Sequence, residues 1–298
     1  MKRFLLFATF SFIVYNVYYF VSEKQDAVAT HAVSNSEIEV KSQKTSSGEE
    51  LVSVGYATIS HQEVQSQEED TFEALYPNLK ISGDISEERL DLIKKTILSL
   101  PAEKLQKLRT IRIKNEKGGV RGLGGSSTII LNDYQLSDQE FVSVLIHELG
   151  HAIDLGGIQG SPAAHKSAFN DGPNPIYEND LSVKYYAYSW ENSSEHNNTA
   201  KNKDFVSGYS MTDPFEDFAE SFAYYVLHNQ DFKTLAKNNE KLGLKYAYIR
   251  DYVFDGKELD TGTGEVNPNK RVWDITKLAI ELWLWFLLKI FKLLKALN

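Results

Sequence analysis

Two histidines and a glutamate form the pattern His-Glu-x-x-His at residues 147–151, within the stretch LIHELGHAID. On an α-helix, residues four positions apart lie one turn above each other on the same face, so His147 and His151 can bind one metal ion while Glu148 lies beside them. Neutral imidazoles bind Zn²⁺, an open coordination position holds water, and a carboxylate can accept that water's proton as it attacks a peptide carbonyl. The pattern predicts one zinc ion, with Glu148 as the general base.

The alternative is an ordinary helix that carries two histidines by coincidence. With 7 histidines in 298 residues, the pattern should arise by chance in about one such chain in a hundred. Apolar residues on either side of the motif give the helix faces to bury, and Ser137-x-x-Glu140 forms a capping box at its start. Gly156-Gly157 ends it. This context favours a metal-binding helix.

A third metal ligand must come from elsewhere in the chain. A metzincin would have a glycine three residues after the second histidine and a third histidine three residues later, but these positions hold Asp154 and Gly157. That class is excluded. The chain has no cysteine, so the ligand is a histidine or a carboxylate. The candidate histidines are His165, His196 and His228.

Two carboxylates stand close together in the stretch DPFEDFAESF. Glu216 and Glu220 are one helical turn apart, so one could bind the metal while the other supports a ligating histidine. Glu216 could instead complete a helix cap after Asp213. Glu220 could be solvated, although the apolar residues around it indicate a buried helix in which an unpaired carboxylate would be costly. Spacing alone does not say which glutamate touches the metal.

Sequence periodicity indicates which elements position these residues. ISEERLDLIKKTILSLP has the spacing of an amphipathic helix, and KLRTIRIKN and TIILND indicate strands. Residues 156–208 look irregular and polar, with Trp190 and many asparagines, and this long segment could form a lid or a substrate-selecting loop. Asp213 and Pro214 are typical of a helix start. Two further helices are predicted near DFKTLAKNNEKL and KYAYIRDYVF.

Composition and the two chain ends set the organisation. The net charge of −9 argues against nucleic-acid binding. A basic start and an apolar stretch from Phe4 to Val21 predict export, either by a cleaved signal or with a retained anchor. We expect a signal peptide or anchor at 1–29, a flexible linker at 30–70, the folded domain at 71–256, a second linker at 257–273 and a C-terminal helix at 274–298. Export would place the domain outside the cytoplasm.

The C-terminal stretch DITKLAIELWLWFLLKIFKLLKALN is amphipathic. On a helix, Asp274, Glu281 and the lysines fall within an arc of about 120°, opposite a wide face rich in Trp, Phe and Leu. This composition favours a helix that lies on a membrane surface. The alternative is a helix that docks on the domain or on a partner through the same apolar face.

GYSMTDPFEDFAESF together with LIHELGHAID resembles the zinc-protease domain of anthrax lethal factor and its relatives, which include the secreted Pro-Pro endopeptidases of Gram-positive bacteria. The resemblance covers residues 72–254. It implies an α+β, zincin-like fold with a small sheet, a His-Glu-x-x-His helix and a second helix that carries a glutamate ligand. It also implies an enzyme that hydrolyses peptide bonds in extended protein or peptide substrates.

The resemblance assigns roles residue by residue. It implies that Glu216 is the third zinc ligand, that Glu220 supports a histidine, and that Tyr209 stabilises the transition state. It also implies an edge strand just before the active helix, to which a substrate peptide adds as a further strand. TIILND occupies that place, with Thr128, Ile129, Ile130 and Leu131 as the substrate-binding residues. An ordinary sheet strand is the alternative, and the proline-selecting residues of the family have no counterpart that we can map.

Two rival functions use the same features. The chain could be a catalytically silent binding module that keeps the fold, although the intact Glu148 speaks against it. It could also be a membrane-active toxin component whose C-terminal helix perturbs bilayers while the protease domain processes or delivers it.

Overall fold

The computed structural model describes residues 71–267 and 269–278. A four-stranded mixed sheet has the order β1 (Lys80–Gly83), β2 (Thr110–Lys114), β4 (Thr128–Asn132) and β3 (Gly122–Gly124). Strands β1, β2 and β4 run parallel, and β3 pairs antiparallel with β4. Strands β5 (Lys166–Asp171) and β6 (Asn174–Tyr177) form a separate hairpin. The prediction of a mixed α and β fold with a small sheet is confirmed.

Alternation of side chains explains why the central strands bury one face. Ile111 and Ile113 of β2 and Ile129 and Leu131 of β4 are buried, whereas the residues between them are more exposed. Successive side chains on a strand point to opposite faces, so these four form one apolar surface. The helices pack against that surface.

Six α-helices within residues 80–278, the part of the chain that carries the site, have clear start signals or apolar faces. Their bounds are α1 (Glu87–Leu98), α2 (Asp138–Ala152), α3 (Leu181–Tyr186), α4 (Pro214–Leu227), α5 (Asn229–Lys237) and α6 (Glu240–Tyr248). Ser137 caps α2 by accepting a hydrogen bond from the Glu140 amide, and Asp213 caps α4, with Pro214 as its first residue. The predicted starts of α2 and α4 are therefore confirmed. Helix α2 continues through a π-helical turn, Ile153–Gly157, up to the predicted glycines.

Helices α2 and α4 pack closely because Gly150 lies between the two histidine-bearing turns of α2. A Cβ atom at Gly150 would lie 3.0 Å from the Cα of Ala219 and 3.1 Å from the Phe222 ring. A larger residue would force the helices apart, since buried interiors have no spare volume. The close approach brings the polar face of α4 to the histidines of α2.

Three predictions about local structure are corrected. The segment 156–208 is not irregular throughout, because it contains the β5–β6 hairpin and α3, and Trp190 is buried. The helix break after α5 falls at residues 238–239, inside the stretch for which one helix was predicted. The third correction concerns β4, which lies between β2 and β3 and is not the edge of the sheet. The prediction that residues 128–131 form the edge strand is wrong.

The C-terminal part of the described chain returns to the domain. Residues 272–276, which we call the strap, contain the buried side chains of Asp274, Ile275 and Thr276. A 3₁₀ turn, Ile275–Lys277, follows Asp274 as its cap. Among the described residues, no helix has the length and apolarity that crossing a membrane requires. The predicted export segment, the linker at 30–70 and most of the amphipathic tail lie outside the described residues.

Candidate metal centre

Helix α2 presents His147 and His151 on one face, as the four-residue spacing predicts. Both side chains are buried, and their rings lie 5.0 Å apart between centroids in an edge-to-face arrangement. Glu148, between them in sequence, is also buried. The sheet lies on one side of these residues and α4 on the other, so the two histidines form the floor of a polar site between them.

Glu216 from α4 approaches both histidines. Its Oε2 lies 3.1 Å from His147 Nε2 and 3.4 Å from His151 Nε2. One ligand atom from each of the three residues lies within 4.8 Å of the others. Asp213 holds the first turn of α4 in place by accepting hydrogen bonds from the amides of Phe215 and Glu216. The helix cap thus fixes the residue that completes the cluster.

The donor set and its spacing fit zinc. With bonds of about 2.0–2.2 Å, tetrahedral zinc places its ligand atoms roughly 3.3–3.6 Å apart. Of the two distances to Glu216 Oε2, 3.4 Å lies in that range and 3.1 Å lies just below it. Two imidazole nitrogens and one carboxylate oxygen are also a set that leaves a position open for water, as catalytic zinc sites do. His147, His151 and Glu216 could therefore hold a zinc ion.

Glu220 contacts the ring nitrogen of His147 that faces away from Glu216. Its Oε1 lies 3.0 Å from His147 Nδ1, so it can accept a hydrogen bond from a proton on that nitrogen. In that tautomer Nε2, which faces Glu216, is the nitrogen that can bind a metal. The carboxylate contact sets the tautomer and ring orientation that metal binding needs. Glu220 itself is fully buried.

The electrostatics of the cluster favour a cation. Burial alone would lower the pKa of His147, but its hydrogen bonds with Glu216 and Glu220 raise that pKa well above its usual value. Burial opposes ionisation of Glu216 too, yet contacts with His147 and His151 lower its pKa. Three carboxylates around two imidazoles thus stabilise positive charge, either a proton or a metal ion.

Strand β3 lies directly on Glu148. A Cβ atom at Gly122 would lie 2.1 Å from Glu148 Oε1, and one at Gly124 would lie 2.8 Å from Glu148 Oε2. Only glycine fits at these two positions without displacing the carboxylate. Burial also raises the pKa of Glu148. Glycine at these two positions therefore lets β3 pack directly against the Glu148 side chain of α2.

Tyr209 stands at the opposite side of the cluster, on a 3₁₀ turn, Tyr209–Met211. Its hydroxyl donates to Glu216 Oε1 at 2.9 Å, and its ring stacks on His147 at a centroid distance of 6.0 Å. Burial and the neighbouring Glu216 raise the pKa of Tyr209, so the hydroxyl keeps its proton. It is a hydrogen-bond donor at the rim of the site.

A cleft of about 530 Å³ opens onto these groups. It is bordered by β3, by the start of α4, by the strap and by Asp171 at the end of β5. Three of its lining residues are strongly exposed apolar side chains, which we call the apolar rim: Val120, Leu123 and Trp273 at 71%, 61% and 63% exposure. The described residues contain no other large apolar side chain above 45% exposure.

The structure does not bring every predicted candidate to this site. The alternative ligands lie elsewhere: His165 is exposed, His196 packs on Trp190, and His228 pairs with Asp231. Residues 128–131 of β4 do not line the cleft, whereas Gly122 and Gly124 of β3 do. Sequence reasoning missed Arg121, Trp273 and Ile275. No local pattern marks them, because each reaches the site through contacts between distant parts of the chain.

A buried cluster of two histidines and a glutamate beside a further glutamate is the arrangement of a metal-dependent hydrolase. A family model described as "putative zinc-binding metallo-peptidase" matches residues 139–290, just over half of the chain, and the protein belongs to this family. The match spans α2, α4 and the strap. No curated protein and no solved structure matched the chain. The finer resemblance to lethal factor stays a prediction.

Proposed function

We propose that this protein is a zinc-dependent endopeptidase with a zincin-like active site of the lethal-factor type. The observation that carries the proposal is the convergence of His147, His151 and Glu216 within 4.8 Å at an open cleft, next to Glu148. Membership of a zinc-binding metallopeptidase family supports it. The intact proton acceptor favours an enzyme over a silent binding module.

Each residue has a distinct role in this proposal. Zinc, when held by His147, His151 and Glu216, supplies a Lewis acid and lowers the pKa of a bound water toward about 7. Glu148 accepts a proton from the attacking water and then gives it to the leaving amine. The Tyr209 hydroxyl, which donates to Glu216 Oε1 in the structure, turns to donate its proton in a hydrogen bond to the carbonyl oxygen as negative charge develops there. Glu220 keeps His147 in the tautomer that binds metal.

The backbone of β3 gives the substrate a place to bind. The Asn132 amide donates to Arg121 O and the Gly125 amide donates to Thr128 O, so Arg121, Leu123 and Gly125 turn their peptide groups toward β4. Bonding alternates along an antiparallel pair, and the N–H and C=O groups of Gly122 and Gly124 therefore point to the free edge. An extended peptide that adds there lies along the metal cluster. Edge addition thus moves from β4, where we expected it, to β3.

The apolar rim flanks this edge. Exposed apolar side chains that line a cleft are typical of a binding site. We propose that Val120, Leu123 and Trp273 contact large apolar side chains of the peptide. The β5–β6 hairpin reaches the same cleft only through Asp171, and it borders the bound peptide at that point.

The decisive test measures cleavage and zinc content together. The purified full-length chain is incubated with a peptide library, with and without a chelator, next to Glu148→Gln. We expect chelator-sensitive cleavage in the wild type. The variant should keep about one zinc and lose roughly 10²- to 10⁴-fold in kcat. Near-normal turnover by Glu148→Gln would overturn the mechanism, and a zinc-loaded wild type that cleaves nothing would favour the binding module.

We further propose that the protein is exported and that the tail beyond the strap binds membrane surfaces. The basic and apolar N-terminus and the lysine-rich amphipathic tail support this. Cell fractionation with and without residues 1–29 tests export. Co-sedimentation with anionic vesicles tests the tail. The chain from residue 30 onward is compared with a variant in which Lys289, Lys292 and Lys295 are changed to Glu. Vesicle binding that depends neither on salt concentration nor on these three lysines would contradict the membrane proposal.

A further inference from the structure

The carboxylate that orients His147 is itself held by a distant part of the chain. Glu220 Oε1 faces His147, while its Oε2 accepts hydrogen bonds from the Ser207 hydroxyl and from the main-chain N–H of Ile275 in the strap, the latter at 2.9 Å. With both oxygens bound, the carboxylate has one orientation. The Ile275 amide therefore lies two contacts away from the proposed metal.

The strap also holds the segment that carries Tyr209. The Gly208 amide donates to Val272 O at 2.9 Å, and the Tyr209 amide donates to Trp273 O at 2.6 Å. The Trp273 ring covers Gly208 so closely that a Cβ atom there would lie 2.4 Å from the ring. Displacing the strap would break both hydrogen bonds and release the backbone of residues 208–209, which positions the Tyr209 hydroxyl.

A third contact joins the strap to the edge strand. Arg121, the residue before β3, forms an ion pair with Asp274 and donates to the Thr276 hydroxyl. Asp274 and Thr276 are both buried. The strap therefore contacts Glu220, the backbone of residues 208–209 and the residue that precedes β3.

We propose that the strap is a positioning element of the metal site, acting through the Ile275 amide on Glu220 and thereby on His147. Docking of the strap and binding of zinc are then thermodynamically coupled, and each strengthens the other by the same factor. The proposal rests on the proposed function in treating His147 as a zinc ligand. It implies that a chain cut before residue 272 keeps every ligand and still binds zinc weakly.

One substitution removes the donor with little change to the backbone. Ile275 is the first residue of a 3₁₀ turn, where proline is tolerated, and Asp274 has φ −149° and ψ 125°, which a following proline permits. Ile275→Pro deletes the N–H, and its ring occupies the place of that hydrogen and displaces the Glu220 carboxylate. Ile275→Val is the matched control, because it trims the side chain to a similar size and keeps the donor.

Zinc affinity of the full-length variants is measured by competition with a chromophoric chelator. Ile275→Pro should bind zinc about tenfold more weakly than Ile275→Val, the lower end of what loss of a ligand-orienting contact costs. The visible absorption spectrum of the Co²⁺-loaded protein should also change, which a merely structural defect would not cause. Equal affinity and identical spectra in the two variants would overturn the proposal.

A double-variant cycle shows whether the strap acts through Glu220. Once Glu220→Gln has weakened the link to His147, adding Ile275→Pro should cost little more in zinc affinity. Full additivity of the two losses would mean that the strap acts by another route, and the proposal would fail.

Amide hydrogen exchange in the wild type tests the same coupling if Ile275→Pro does not fold. Saturating zinc should slow exchange of the Ile275 amide by about the same tenfold factor. The Leu242 amide, which donates to the Asn239 side chain that caps α6, is the remote control, and its exchange should be unaffected by zinc. An Ile275 amide that exchanges equally with and without zinc would overturn the coupling. None of these readouts needs cleavage, so an inactive but zinc-coupled protein would reject the proposed function and keep this inference.

Discussion

Glu216 and Asp217 are neighbours on α4, yet they lie in two different kinds of buried site. Glu216 borders the cleft and contacts two imidazoles, with 17% of its side chain exposed. Asp217 is fully buried, where Lys245 Nζ contacts its two oxygens at 2.9 and 2.6 Å. Trp190 Nε1 also donates to Asp217 Oδ2 at 3.0 Å. One carboxylate faces an opening, and the other is enclosed on every side.

The difference lies in where the positive charge comes from. Lys245 belongs to the chain, so the Asp217 site is complete without any ligand. Hydrogen bonds from Trp190 to Asp217 and from Lys245 to the Asp204 carbonyl connect α4 and α6 to the long segment that precedes α4. Around Glu216 the neighbours are imidazoles that can take up a metal ion or a proton. A buried carboxylate therefore indicates function only when its partners leave a place for a cation at an accessible surface.

The largest expected effect comes from breaking the enclosed pair. Asp217→Ala leaves Lys245 buried without a counter-charge, which should lower the free energy of unfolding by about 3–5 kcal/mol. Urea denaturation in the presence of a chelator measures this without any contribution from zinc. The double variant Asp217→Leu with Lys245→Met should recover most of the loss, because a well-packed apolar pair replaces the charges. A loss below about 1 kcal/mol for Asp217→Ala would mean that the pair is not structural.

Glu216→Gln should have the opposite profile. Structural zinc sites bind with about 10–16 kcal/mol over four ligands, so one ligand contributes roughly 3–4 kcal/mol, or about 10²- to 10³-fold in Kd. Chelator competition should show that loss, while the urea stability of the zinc-free variant stays near that of the wild type. Full zinc loading by Glu216→Gln, together with complete loss in Glu220→Gln, would reverse the roles of the two glutamates.

Asp154 is a buried carboxylate that differs from both, because its hydrogen-bond partner is a hydroxyl and not a cation. Asp154 accepts a hydrogen bond from the Tyr186 hydroxyl at 2.7 Å, and burial raises its pKa to about 7. The folded state therefore holds a proton that the unfolded chain releases above about pH 4. Its contribution to stability falls as pH rises through the window from about 4 to 7.

Asp154→Asn removes that titration and keeps an acceptor for Tyr186. Relative to the wild type, the variant should gain about 2–3 kcal/mol of unfolding free energy between pH 5 and pH 8. Urea denaturation of both zinc-free proteins across this range measures the gain. A difference that stays constant with pH would mean that Asp154 is ionised throughout.

The sequence predicts the parts of the site that depend on local spacing. The pattern at 147–151, the cap at Asp213 and the one-turn separation of Glu216 and Glu220 place the right side chains on faces of two helices. What brings those faces together is a long-range contact between Gly150 and Ala219, which no periodicity reveals. The two helices could be predicted from the sequence, whereas their packing against each other was expected only from the resemblance.

The remaining features depend on pairings between distant residues. Strand β3 has three residues, two of them glycines, so it lacks the alternation that marks β4, and the edge was assigned to the wrong strand. The bond between Ile275 and Glu220 joins residues 55 positions apart. Similarly, nothing in the sequence distinguishes the surroundings of Asp217 from those of Glu216 before Lys245 is placed.

The smallest expected effect concerns the apolar rim, where the cleft that holds Glu216 opens to solvent. Leu123→Ala shortens an exposed side chain of the apolar rim without touching the metal cluster, so it should remove binding that is equal in the ground and transition states. With the best peptide from the library, KM should rise a few-fold, about 1 kcal/mol, at unchanged kcat. Leu244→Ala, which removes a leucine 43% exposed outside the cleft lining, is the control and should change neither constant. A fall in kcat with unchanged KM would mean that Leu123 acts in the catalytic step. If Leu123→Ala had no effect with any apolar peptide, the apolar rim would not be part of the substrate-binding surface.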